Sequence, residues 1–280
     1  MNPILNFGSG DARDTLDALG RSLAIIEFKP DGTVLTANSN FLNVLGYSLA
    51  EIEGKHHSMF VDPAERNTSA YSEFWSNLRK GEFSAAAFKR ITKSGAEVWI
   101  QATYNPILDK SGKVYKVVKF ATDITKQKVD AAYAQGQIAA IQKSQAVIEF
   151  ELDGTIITAN ENFLTTLGYQ LSEIVGKHHS MFVRESDRGT GAYKRFWEEL
   201  RSGDYQSAEF LRIGKGGKEV WIQATYNPVR DINGNVYRVI KFATDITAEV
   251  KVREARAKQQ DIAADLDMIV VNTSQTATQA

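Results

Sequence analysis

The 280-residue chain has four histidines, His56, His57, His178 and His179, and all of them fall in one phrase used twice, GKHHSMFV at 54–61 and 176–183. Imidazole can hold a metal, move a proton near neutral pH or hydrogen-bond a cofactor. Adjacent side chains point about 100° apart on a helix and oppositely on a strand, so each HH pair is a poor two-ligand chelator. No HExxH motif, cysteine or nearby acidic cluster completes a zinc site. One histidine of each pair should therefore face an interior and the other the surface. The apolar Met59, Phe60 and Val61 that follow take the chain into a core.

Two cations lie where strand alternation turns them inward. In SAAAFKRI, Arg90 shares a face with Ala86 and Phe88, and the second copy keeps all three types as Ala208, Phe210 and Arg212. On the opposite face Lys89 becomes Leu211, so divergence concentrates there. A buried arginine needs an anionic or accepting partner; otherwise it turns from the strand end into solvent. Lys119 alternates with Val117 and Ala121, and its counterpart is Lys241. A lysine so placed either meets a guest in the interior or snorkels out to water. In EVWIQATYN, Val98, Ile100, Ala102 and Tyr104 form the apolar, inward set, which leaves Trp99 on the outer face. Trp75 and Trp197 fall on core-facing helix surfaces, where an indole packs beside a bound ring or simply fills space.

A duplicated unit positions these residues. Residues 22–125 align with 144–247 without a gap, and about 65 of about 104 pairs are identical, so each copy is expected to be a complete domain. Each opens with strand, Asp-Gly turn and strand (AIIEFKPDGTVLTAN and AVIEFELDGTIITAN). Short glycine-punctuated helices follow, then the helix AYSEFWSNLRKG or its counterpart, then three strands. The expected class is α+β: two domains, each a five-stranded antiparallel sheet with helices on one face. Residues 1–21 are expected to form an N-terminal helical cap. Segments 126–143 and 248–280 are rich in helix formers and follow the same DIT tripeptide. They are expected to be a helical linker and a C-terminal signalling helix, competent to run in a parallel dimer.

Composition narrows the function. A net charge of -1 gives no basic field for nucleic acid or an anionic membrane. The lack of cysteine excludes disulfides, thiolate catalysis and cysteinyl–flavin photochemistry. No apolar run approaches the ~20 residues of a membrane span, and the polar, acidic N-terminus is unlike a signal peptide. A soluble, cytoplasmic protein is expected. No Ser–His–Asp signature, phosphate loop or carboxylate pair marks an enzyme, and GKGG at 214–217 sits in a hairpin turn rather than a Walker loop.

The run TANSNFLNVLGYSLAEIEG, followed by KSGAEVWIQATYNPILDKSGKVYKVVKFATDIT, resembles a PAS sensory domain. The asparagine before the helices, the Gly-Tyr pair, the central-strand aromatic, the DxxG hairpin and the terminal DIT carry the likeness, in both copies. It implies strands cupping a small-molecule pocket against helices. NxNFxxxxGYxxxEIxGxxHxM, then AYxxFWxxLxxG, is similar to the flavin-binding PAS domains of bacterial aerotaxis receptors and soluble methyl-accepting chemoreceptors. That likeness implies FAD in each pocket, held by Asn38, His57, Trp75, Arg90 and Lys119 in the first copy. The second-copy set is Asn160, His179, Trp197, Arg212 and Lys241. His57 and His179 match the motif histidine; they would hydrogen-bond a flavin, ligate iron if the cofactor is heme, or bridge backbone groups. Where flavin-type relatives usually resemble one another in an asparagine that bonds the ring, this chain has Arg90. The implied function is a non-enzymatic, redox- or oxygen-responsive module of an aerotaxis receptor. It would act as a homodimer, passing its signal to a chemotaxis signalling domain or kinase complex. A heme gas sensor and a cofactor-free dimerisation module are the alternatives on the same fold.

Overall fold

The Asp-Gly pair at 31–32 folds the first hairpin of the computed structural model, which describes residues 9–278. It joins β1 (Ala24–Phe28) to β2 (Val34–Ala37). The Asp31 carboxylate accepts from the Thr33 amide at 2.9 Å, and Gly32 takes a left-handed φ of 91°. Glycine is required there twice over, because a Cβ would stand 2.6 Å from His56 Nε2 and 3.1 Å from the Trp75 ring. Gly32→Ala is expected to cost about 1–3 kcal/mol, seen as a lower denaturant midpoint with an unchanged slope; Gly154, at φ 90° against His178 and Trp197, predicts the same.

Helix α2 (Ser39–Leu45) starts at Asn38 and stops at the left-handed Gly46. Helix α3 (Leu49–Ile52) opens with a Ser48–Glu51 capping box. A single 3-10 turn, His57–Phe60, leads to α4 (Ser69–Arg79), which Thr68 caps. Strands β3 (Ser84–Ile91), β4 (Glu97–Leu108) and β5 (Val114–Asp123) complete an antiparallel sheet ordered β2-β1-β5-β4-β3. Its register sets Lys119 between Ile26 on β1 and Tyr104 on β4. Ile26, Phe28, Ile100, Tyr104 and Val117 on the inner face pack against Phe41, Leu45, Phe60, Trp75 and Leu78 from the helical side.

The chain parts into two compact units between Ala134 and Gln135, and the second repeats the plan. Strands β6 (Ala146–Phe150), β7 (Ile156–Ala159), β8 (Gln206–Ile213), β9 (Glu219–Arg230) and β10 (Val236–Asp245) form a sheet ordered β7-β6-β10-β9-β8. Helices α6 (Glu161–Leu167), α7 (Leu171–Ile174), α8 (Glu185–Arg188) and α9 (Gly191–Ser202) and the 3-10 turn His179–Phe182 fill the helical side. GKGG lies in the turn between β8 and β9, with Gly216 and Gly217 at positive φ. The change from Lys89 to Leu211 is compensated locally. Lys89 bridges Asp62 at 3.1 Å and Glu97 at 3.0 Å. In the second unit Arg184 stands where Asp62 does and takes Glu219 at 2.9 Å.

Three longer helices flank these sheets: α1 (Ser9–Ser22), α5 (Thr125–Ser144) and α10 (Thr247–Thr278). Residues 1–8 and 279–280 of the expected terminal segments lie outside the described residues. Among the described residues, no helix is long and apolar enough to cross a membrane. The chain entering each domain is tied at its end by two asparagines. Asn38 and Asn40 donate to the carbonyls of Gly20 and Leu23, and Asn40 also to Arg21. Asn160 and Asn162 do the same for Gln142 and Gln145, with Lys143 added by Asn162.

Candidate functional site

The histidine pair divides its work. His56 stays exposed and braces the first hairpin: Nδ1 accepts from the Ser58 amide at 3.2 Å, so Nε2 carries the proton and donates to the Asp31 carbonyl at 2.9 Å. The turn this creates drives His57 inward, where it is fully buried. Its Nδ1 lies 2.8 Å from the Tyr71 hydroxyl and its Nε2 3.0 Å from the Tyr104 hydroxyl. A neutral imidazole is satisfied in either tautomer, donating to one phenol and accepting from the other. Burial, then Arg90, Lys119 and His56, hold its pKa well below the ordinary histidine range. Phe28, Trp75 and Phe74 surround the ring at centroid distances of 5.3, 5.4 and 6.2 Å.

Tyr104 is the hub. Arg90 Nη2 donates to its hydroxyl at 3.1 Å, Nη1 donates to the Lys89 carbonyl at 2.6 Å, and Arg90 Nε has no partner among the described residues. The guanidinium lies over the Phe88 ring at 4.8 Å. Lys119 is fully buried and its Nζ, 4.9 Å from the Tyr104 ring centre and 5.4 Å from that of Phe41, has no hydrogen-bond partner among the described residues. Burial first, and Arg90 second, push its pKa well below the usual lysine range. Burial likewise lifts the Tyr104 phenol and takes Tyr71 up to about 12, so both remain protonated at neutral pH. The interior therefore gathers a guanidinium, an unpartnered lysine amine and a neutral imidazole, with no carboxylate hydrogen-bonded to them among the described residues.

The second domain repeats this cluster closely. His179 bonds Tyr193 at 2.8 Å and Tyr226 at 3.0 Å, and Arg212 reaches Tyr226 at 3.0 Å. Lys241 Nζ is again unpartnered among the described residues, 5.0 Å from the Tyr226 ring. Burial heads the causes that lower both His179 and Lys241.

The structure thus brings His57, Trp75, Arg90 and Lys119 together, with their second-domain counterparts. It does not bring in Asn38 or Asn160. The Asn38 side-chain oxygen accepts from the amides of Phe41 and Ile25 and its nitrogen donates to Gly20 and Leu23 carbonyls, so its amide is spent on helix capping and chain entry. Trp75 contributes indirectly as well: Nε1 donates to Tyr71 at 3.2 Å. Tyr71 and Tyr104 complete the cluster although neither was among the residues singled out from the sequence. Their inward placement was readable from helical and strand periodicity; their convergence on one imidazole was not.

Beside the cluster a cleft opens between α4 and β3, about 280 Å³ in the first domain and 450 Å³ in the second. Val61, Ala70, Tyr71, Phe74 and Phe88 line the first, and Arg90 reaches it from the interior. Seven of the eight lining positions are identical in the second; Glu65 becomes Asp187. Apolar walls, aromatic edges and a single guanidinium, with the carboxylate of Glu65 or Asp187 also in the lining, fit a planar guest that offers an accepting edge to the arginine. These volumes hold a single ring system, so a larger guest reaches His57 and Lys119 only if the α4 aromatics move. Among the described residues, no group of three or more His, Asp or Glu side chains forms a metal site.

Comparison with known proteins fits this geometry. The family profile described as "PAS fold" matches residues 34–121 and again 156–243. The chain is 41% identical over 240 residues to the biofilm dispersion protein BdlA of Pseudomonas aeruginosa, an alignment covering 86% of this chain and 58% of that protein. It is 23% identical over 218 residues to the oxygen sensor protein DosP of Escherichia coli, covering 75% of this chain and 26% of DosP. Over 95 residues it is 30% identical to the Escherichia coli aerotaxis receptor, covering 34% of this chain and 18% of the receptor. The chain thus spans little more than half of the first of these relatives, and 26% and 18% of the other two.

Proposed function

The chain belongs to the PAS-fold family, in two copies, and from that premise we propose that each copy is a sensory domain enclosing a planar, anionic redox cofactor, FAD in the first reading. The observation that carries this reading is the buried amine of Lys119, repeated in Lys241, with no hydrogen-bond partner among the described residues. A lone amine in apolar surroundings is costly unless something else makes use of it. An anionic edge, whether flavin ring, flavin phosphate or heme propionate, would supply the missing partner.

The bound cofactor would supply electron exchange and a charge that changes with redox state. The chain's own groups do the rest. Lys119 would take up a proton and hold negative charge in the interior. Arg90 would offer its free Nε–H from the cleft side. His57, whose two ring nitrogens are taken by Tyr71 and Tyr104, would hydrogen-bond the ring system only by releasing one of these phenols, and Phe28 and Trp75 would keep water out. A heme reading has one observation behind it, the buried neutral imidazoles of His57 and His179; to ligate iron, each would first have to release one of its two tyrosine hydroxyls.

The names of two relatives, an oxygen sensor and an aerotaxis receptor, support oxygen or redox state as the signal. In this reading 22–125 and 144–247 sense, and the helices of 126–143 and 248–280 carry the response. The protein works as a homodimer in the cytoplasm, without catalysis of its own, and delivers its signal to a chemotaxis signalling domain or kinase complex. An absorption spectrum of the purified chain, before and after dithionite, tests the proposal. Flavin bands that bleach on reduction support FAD, and a Soret band supports heme. A colourless protein that takes up neither FAD nor heme would remove the proposal and leave a cofactor-free dimerisation module.

A further inference from the structure

The two domains release their exit helices from the same root. Trp99 and Trp221 amides donate to the Thr125 and Thr247 hydroxyls at 2.9 and 3.0 Å, and the Asp123 and Asp245 carboxylates accept from the same threonines' amides at 2.8 and 2.9 Å. Beyond that root they differ. In the second domain Val250, in the first turn of α10, is only 2% exposed, and α10 packs on β9. Less than one turn later Arg253 makes a two-pronged ion pair with Glu209 on β8, Nη1 to Oε1 at 3.2 Å and Nη2 to Oε2 at 2.6 Å.

The first domain lacks all three parts. Lys128 stands for Val250, Ala131 for Arg253 and Ala87 for Glu209, and α5 has no buried residue. What remains beyond the root is Lys128 resting over the Trp99 ring at 5.3 Å, an exposed contact that salt and motion weaken. Three positions, two on the helix and one on a strand more than 40 residues away, differ together while the root between them is kept. A lone exposed ion pair holds little, but a bidentate pair beside a buried valine fixes both the position and the rotation of a helix.

We propose that the repeats are unequal transmitters: the second domain drives α10 as a lever bolted to its sheet, and the first holds α5 on a hinge that turns freely beyond its threonine root. This holds whichever cofactor fills the pockets, because none of these residues touches them.

Hydrogen–deuterium exchange on the full chain tests it, read by mass spectrometry over 125–132 and 247–254. The α10 segment is expected to exchange about tenfold more slowly than the α5 segment. Transplanting the fastening as Ala87→Glu, Lys128→Val and Ala131→Arg is expected to slow α5 to the rate of α10. Removing it as Glu209→Ala, Val250→Lys and Arg253→Ala is expected to speed α10 to the rate of α5. Amides of β4 and β9 report that each variant is folded. Equal exchange of the two segments in the unaltered chain would overturn the inference, as would folded variants in which neither helix changes.

Discussion

Replacing Lys119 and Lys241 by methionine will make the cofactor-free protein more stable and less able to hold its cofactor. Methionine fills much of the same space with no polar atom to strand, and each substitution is expected to stabilise its domain by roughly 1–3 kcal/mol at pH 7. The sign with pH follows from the depressed lysine pKa. Between the folded pKa and the ordinary value of about 10.4, the unfolded chain binds a proton that the folded chain does not. Stability of the unaltered apo-protein should therefore rise with pH across that window, and the penalty vanishes once pH passes the unfolded value. The methionine variant should show a flat profile there. Thermal unfolding of apo-protein at neutral and alkaline pH measures both effects, and cofactor retained per chain after purification measures the second. A variant destabilised at both pH values, with its cofactor content unchanged, would make these lysines mere spacers.

The second large effect belongs to His57 and His179. Changing both to alanine opens a void and removes the imidazole bond from two phenols in each domain, at an expected cost of about 2–4 kcal/mol per domain. It also removes an acid limb. A histidine whose folded pKa lies well below the ordinary ~6.5 forces the unfolded state to bind the extra proton, so stability falls as pH drops through 6.5 and below. The alanine variant should lose that slope. Under the proposed function its cofactor stoichiometry also falls, about tenfold or more at fixed cofactor concentration. A folded double variant with full cofactor content would take the histidines out of the binding role. His57→Gln and His179→Gln, which keep a donor and an acceptor on a shorter side chain, should recover part of the stability.

Much of this site was legible in the residues. Alternation along KVVKFATDI sends Lys119 inward with Val117 and Ala121. That geometric demand overrode the general tendency of lysine to reach water, because strands β1 and β4 close over it from both sides. The split between His56 and His57 follows from the impossibility of pointing neighbours one way. Asn38 misled for an instructive reason. Its place in the family pattern is shared by a helix cap and a pocket wall, and only the hydrogen bonds to Phe41, Ile25, Gly20 and Leu23 distinguish the two. The partnership of His57 with Tyr71 and Tyr104 spans 14 and 47 positions. No local period encodes it, so it emerges only when α4 and β4 are folded against the same ring.

The asparagine pairs at the two domain entrances have a wider consequence. Asn38 with Asn40, and Asn160 with Asn162, grip only main-chain carbonyls, so the socket is blind to the identity of what is plugged into it. LDALGRSL arrives at one and AAIQKSQ at the other, and both seat alike. Units joined this way can be multiplied or reshuffled during evolution without any matching change at the seam, and a tandem array is the natural outcome.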